Sequence, residues 1–175
     1  MARTLECRDR PVTARVVVII VALAAMWGLK RHYADSSADD LRWILYPTTR
    51  VVSVMTGGAF VMEPGSGYLS RERLFLIEKS CAGINFMIAA FGMLTFASLW
   101  RVASYASGLR VLLVSLAASY VAAVVINAVR IAIAIWLADQ PAAIAGMSAA
   151  EIHRVEGIAV YFGGLAVVYE LGSRS

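Results

Sequence analysis

Cys81 stands in the run Glu78-Lys79-Ser80-Cys81-Ala82-Gly83-Ile84-Asn85-Phe86, where the charges stop and an uncharged stretch reaching Trp100 begins. Arg130 lies towards the end of a second apolar run that starts at Val111, and His153 lies at the start of a third. One crossing away from Cys81 and one crossing back bring all three residues to the same face of a bilayer. A thiol, a guanidinium and an imidazole gathered on one face are the parts of a thiol enzyme: a nucleophile, an oxyanion donor and a general base.

Each part also has a plainer reading. Ser80 suits an N-cap, which would put Cys81 in the first turn of the following helix, where backbone N–H groups and the helix dipole favour an anionic sulfur. The alternative is a small apolar cysteine inside a packed helix. Asn127 and Arg130 share a helical face at i and i+3, and an arginine within an apolar run must face protein or water. It either serves an oxyanion or snorkels to the interface, since a helix from Arg110 to Asp139 would be about 45 Å long. Ser148-Ala149-Ala150-Glu151 matches a capping box and starts the last helix near Ala149, which places His153 in its second turn. Glu156, three residues on, either orients the imidazole or is a solvated helix-start charge. Ser80, Asn85, Asn127 and Glu156 are therefore supporting candidates beside Cys81, Arg130 and His153. His32, by contrast, flanks the first apolar run as an interfacial residue.

The elements that must position these residues are membrane helices. Hydrophobic residues make up 60% of the chain and charged residues 16%, with a mean hydropathy of +0.71, far from soluble averages. A hydrocarbon core of about 30 Å takes about 20 apolar helical residues, and four such segments run near 12 to 31, 82 to 100, 111 to 137 and 149 to 171. The net charge of +4 and pI near 9.3 reflect arginines beside apolar runs rather than a nucleic-acid-binding stripe. Residues 1–33 read as a tail and retained anchor helix, although Ala22-Leu23-Ala24 also has the small-residue look of a signal-peptide cleavage site. Cys7 and Cys81, the two cysteines, are separated by the first crossing, so no disulfide joins them.

Between the anchor and Cys81 the sequence is less apolar. Asp35-Ser36-Ser37-Ala38-Asp39-Asp40 is a helix-start segment. Leu41, Ile44, Leu45, Val51, Val52, Met55 and Ala59 then follow at helical spacing, with Arg42, Thr49, Ser53 and Thr56 opposite, as in an amphipathic helix lying in the interface. Pro47 and Arg50 argue against a full crossing. Gly57-Gly58 and Pro64-Gly65-Ser66-Gly67 break the helix. Tyr68 to Ile77 reads as a strand pair or extended segment, suited to presenting Cys81 or to pairing with an extended peptide. The expected fold is thus all-α and polytopic, with about four transmembrane helices, an interfacial helix and a short β segment before Cys81. No Cys, His, Asp and Glu cluster has metal-ligand spacing and no Gly-rich loop joins strand to helix, so neither metal nor nucleotide is expected. The Gly57-Gly58 and Gly163-Gly164 pairs suit helix breaking or packing.

Cys81-Ala82-Gly83-Ile84, Asn127-Ala128-Val129-Arg130 and a downstream His153 together resemble the exosortase and archaeosortase family of membrane transpeptidases. The length and the run from Glu78 to Phe86 are most similar to the compact subgroup called exosortase K. The resemblance covers roughly residues 40 to 171. Family members commonly read Cys-Ser-Gly at the nucleophile, so Ala82 is a small departure. The resemblance implies a cysteine peptidase and transpeptidase that needs no cofactor. It would cleave the C-terminal sorting signal of secreted proteins (a short motif, a transmembrane helix and a basic tail) through an acyl-enzyme on Cys81. His153 would be the base and acid, and Arg130 the oxyanion donor.

The expected setting is a bacterial inner membrane. The Arg-dense N-terminus and the acid-free loop from Arg101 to Arg110 favour the cytoplasm, which puts Cys81 outside. The expected partners are membrane-anchored secreted proteins and the bilayer. Two rivals come from other classes: a noncatalytic membrane scaffold, and a small anion transporter component lined by Asn127 and Arg130.

Overall fold

The computed structural model describes residues 2–138 and 149–174. In chain order these form α1 (Ala2–Asp35), α2 (Arg42–Thr56), β1 (Val61–Glu63), β2 (Gly67–Ser70), β3 (Phe75–Ile77), a 3₁₀ turn (Lys79–Ala82), α3 (Ile84–Ala97), a second 3₁₀ turn (Leu99–Arg101), α4 (Tyr105–Ala138) and α5 (Ala149–Arg174). Four helical segments among the described residues are long and apolar enough to cross a membrane: Pro11–Asp35, Lys79–Ala97, Tyr105–Ala138 and Arg154–Ser173. Their outward faces carry Trp27, Leu113, Val121 and Phe162, all exposed, as suits contact with lipid rather than water.

Helix α3 is the central element and the most buried of the four segments. Phe86, Met87, Ala90, Phe91 and Leu94 are enclosed, and α1, α4 and α5 pack around it. The expected segment 82–100 is not one helix. Its α-helical part, 14 residues, is about 21 Å long, and a 3₁₀ turn extends it at each end.

Close approach of the surrounding helices depends on small residues. On α4 the buried positions Ser115, Ser119, Ala123, Asn127, Ile131 and Ile135 recur every four residues and form one ridge. A Cβ on Gly108 would come within 2.6 Å of Val18 on α1, and one on Gly164 within 2.7 Å of Ile126 on α4. The anchor helix itself turns Ala14, Val18 and Ala22 inward, again at four-residue spacing.

Helix α2 differs from the expected division of faces at two positions, Thr49 and Met55. Its inner face is Ile44, Leu45, Thr48, Thr49 and Val52, packed in the protein core beside α4, while Met55 is exposed. Thr49 therefore belongs to the buried face. The hydroxyl of the adjacent Thr48 returns to the preceding turn, donating to Ile44 O at 2.8 Å, whereas Thr49 Oγ1 is buried with no hydrogen-bond partner among the described residues. Pro47 lies inside the helix, and Gly57, left-handed at φ 67°, closes it. Ahead of α2, Ser37 and Asp40 bond reciprocally, and the Ser37 N–H, then its hydroxyl, hold the Asp40 carboxyl below its usual range.

The segment before Cys81 is a three-stranded antiparallel sheet in the order β1-β2-β3, with Tyr68 opposite Ile77 and Leu69 opposite Leu76. The strand pair expected from Tyr68 to Ile77 is present, and β1 adds a third strand. Gly67 allows the close pairing: at φ 123°, a Cβ there would sit 2.3 Å from Ile77 O. Asp39 accepts from Gly65 N at 2.9 Å and Arg73 donates to Thr56 O at 2.8 Å. The sheet is thereby tied to both ends of α2, and Ile77, its last residue, is buried in the core.

Candidate functional site

The thiol does not sit in the first turn of α3. Cys81 lies within the 3₁₀ turn, and Gly83, left-handed at φ 69°, separates that turn from the helix. Ser80 is accordingly no N-cap: its hydroxyl donates to Glu78 Oε1 at 2.7 Å and lies 3.8 Å from the Cys81 sulfur. The turn is closed by Cys81 N donating to Glu78 O at 2.9 Å. This difference matters because a residue before the helix is oriented by its tertiary neighbours more than by the helix dipole, which fades beyond the terminal turn.

The neighbour that orients it is Asn127. This residue is fully buried on the α4 ridge, and its Nδ2 donates to the backbone carbonyl of Cys81. Gly83 leaves the room for this contact, since a Cβ there would lie 3.0 Å from Asn127 Cβ and Cγ. Gly83→Ala should therefore both force a left-handed alanine, at about 1–2 kcal/mol, and push the amide away from the thiol turn. The expected result is a lower thermal unfolding midpoint in detergent together with an altered rate of Cys81 alkylation; an unchanged midpoint and an unchanged rate would count against this geometry.

The Asn127 Oδ1 accepts from the Tyr161 hydroxyl at 2.8 Å. Arg130 Nη1 points at the same hydroxyl from 3.4 Å, and the guanidinium carbon lies 5.1 Å from the Tyr161 ring centroid. Gly157 makes space for Arg130, because a Cβ at that position would come within 3.0 Å of Arg130 Nε. Glu156 adds a carboxylate that interacts electrostatically with Arg130. Arg130 thus faces protein and reaches across to α5.

The structure brings Cys81, Asn127, Arg130 and Glu156 into one neighbourhood, with Ser80 and Asn85 at its rim. Asn85 is held by Lys30, whose Nζ donates to Asn85 Oδ1 at 2.8 Å. A cleft of about 640 Å³ opens beside this neighbourhood; Ser80, Gly83, Arg130, Arg154, Tyr161 and Phe162 are among its lining residues, whereas Cys81 and Asn127 adjoin it without lining it. Position 153 shares the α5 face of Gly157 and Tyr161, at four-residue intervals, but the His153 side chain lies outside the described residues. So does Ser148, the first residue of the expected capping box.

Two site residues escaped sequence reasoning. Tyr161 is one of two tyrosines in α5, and the signal that singles it out is its spacing of eight residues, two turns, from His153. Gly157 was marked by the same spacing rule at one turn. No family model matches the chain, and no curated protein or solved structure does either.

Proposed function

We propose that the chain is a membrane-embedded cysteine peptidase and transpeptidase that removes the C-terminal sorting signal of secreted, membrane-anchored proteins. The observation that carries this reading is the hydrogen-bonded path from the Cys81 turn through Asn127 and Tyr161 to Arg130, running beside one cleft. The order of Cys81, Asn127-x-x-Arg130 and His153, which resembles the exosortases, supports it from the sequence side.

In this mechanism Cys81 Sγ bonds to the scissile carbonyl carbon while the thiol proton passes to His153. The displaced electron pair makes an oxyanion, to which Arg130 donates. Collapse of that intermediate breaks the C–N bond, and the amine leaves with the proton carried by His153. The thioester is then attacked by an acceptor amine or by water, which returns the thiol. Asn127 is a positioning residue in this scheme, because its amide is committed to the Cys81 carbonyl. A substrate held by its own transmembrane helix reaches the cleft by lateral diffusion, already oriented. The site faces the outside of a bacterial inner membrane.

The test is mass spectrometry of a secreted protein with such a signal, incubated with membranes carrying the chain. The product should lose the mass of the signal, and a hydroxylamine-sensitive adduct should accumulate on the peptide containing Cys81. Cleavage without any adduct on Cys81 would remove the thiol from the chemistry. No cleavage by a fully inserted chain, across substrates with such signals, would overturn the reading.

A further inference from the structure

We infer that Tyr161 is a positioning residue that locks the orientation of the Asn127 amide and, through it, the Cys81 turn. A phenol has one proton to give, and Tyr161 gives it to Asn127 Oδ1 at 2.8 Å. Only its lone pairs then face Arg130 Nη1, 3.4 Å away, which suits a donor that has no acceptor capacity. The polarity of the path follows from its two ends, the donor Arg130 and the acceptor carbonyl of Cys81, with the Tyr161 proton passing it on to Asn127. With Oδ1 taken by the phenol, Nδ2 is the end of the amide directed to the Cys81 carbonyl.

A turned-over amide would set C=O against C=O at Cys81 and lose the phenol's donation to Oδ1, leaving the phenol to turn its proton away and accept from the amide N–H instead. Asn127 is fully buried, so water could not replace the lost bond to Cys81 and the facing carbonyls would be stranded. The Tyr161 ring is itself fixed from two sides. Its centroid lies 5.3 Å from that of Phe86 on α3, and the Arg130 guanidinium sits on its face. One side chain on α5 therefore sets the direction of an amide on α4 and a carbonyl before α3.

The effect on catalysis rests on the thiol mechanism proposed above, whereas the effect on the thiol turn does not. The experiment uses the full chain in membranes with Cys7→Ser, so that Cys81 is the one remaining thiol. It combines Tyr161→Phe, Asn127→Asp and the double variant, all matched for abundance and thermal midpoint. Two rates are measured: iodoacetamide alkylation of Cys81 and processing of the anchored substrate.

Tyr161→Phe keeps the ring and removes the proton. It should change the alkylation rate by roughly threefold or more and lower kcat for processing by about tenfold with KM little changed. In the Asn127→Asp background, where the donor to Cys81 is already gone, adding Tyr161→Phe should change neither rate further. An alkylation rate unaltered by Tyr161→Phe, or an effect that multiplies undiminished in the double variant, would overturn the inference. If the parent chain processes nothing, the peptidase reading falls while the alkylation cycle still decides the role of Tyr161.

Discussion

Replacing Cys81 with alanine should stop processing of an anchored substrate, with a fall on the order of 10⁴-fold or more. The substitution tests chemistry rather than folding, for structural reasons. Cys81 is only partly buried, alanine keeps the Cβ, and the bond from Asn127 goes to the backbone carbonyl, which survives. Membrane abundance and the unfolding midpoint should stay at the level of the unaltered chain. Cys81→Ser should fall nearly as far, because a hydroxyl near neutral pH offers far less of the anionic nucleophile than a thiol does. A scaffold would keep its function in the Cys81→Ala variant. A transporter would also tolerate that change while failing on loss of Arg130. The mass-shift assay therefore separates all three classes with two variants.

Arg130→Ala should lower the rate of thioester formation by about 10²–10³-fold, the usual range for loss of one oxyanion donor. The measurement is the growth of the hydroxylamine-sensitive adduct in a single turnover, which isolates the first chemical step. Arg130→Lys should fall between the two, since it keeps the positive charge but loses the planar fork that can hold Tyr161 and an oxyanion together. Gly157 sharpens the comparison: the guanidinium lies against its bare Cα, a flat space that an ammonium would not fill. If Arg130→Lys instead matched the unaltered chain, charge alone would account for the role and the fork geometry would carry no weight.

The four long apolar helices were legible because length and apolar composition are strong, local signals. The helix before the sheet was legible in position but not in orientation. A hydropathy pattern places threonine with the polar residues, yet Thr48 and Thr49 face inward. The conformation around Cys81 was not legible from the Ser80 side chain. A 3₁₀ turn and a left-handed glycine intervene, and the residue that marks the break is Gly83, whose backbone freedom outweighs the N-cap preference of Ser80. Tyr161 was missed for a different reason. Its importance lies in contacts with residues 34 and 31 positions away, and no local pattern reports a partner at that distance. The arrangement of Asn127 and Arg130 on one face was visible, while their unlike partners, a backbone carbonyl and a phenol, were not.

The path through Asn127 and Tyr161 also has a meaning in time. Ribosomes deliver a chain from its N-terminus at about 5–20 residues per second, so the cysteine emerges seconds before the last partner that aligns it. Asn127 comes 46 residues after Cys81, and Tyr161 another 34 residues later. Through that interval a nascent chain carries a sulfur but no aligned machinery around it. Helix α5, which carries Tyr161, follows the other three membrane-length segments in the order of synthesis. If the proposed peptidase reading holds, a half-made chain at the translocon, surrounded by other emerging proteins, would for that reason be a poor enzyme, gaining competence to cut only once α5 is in place.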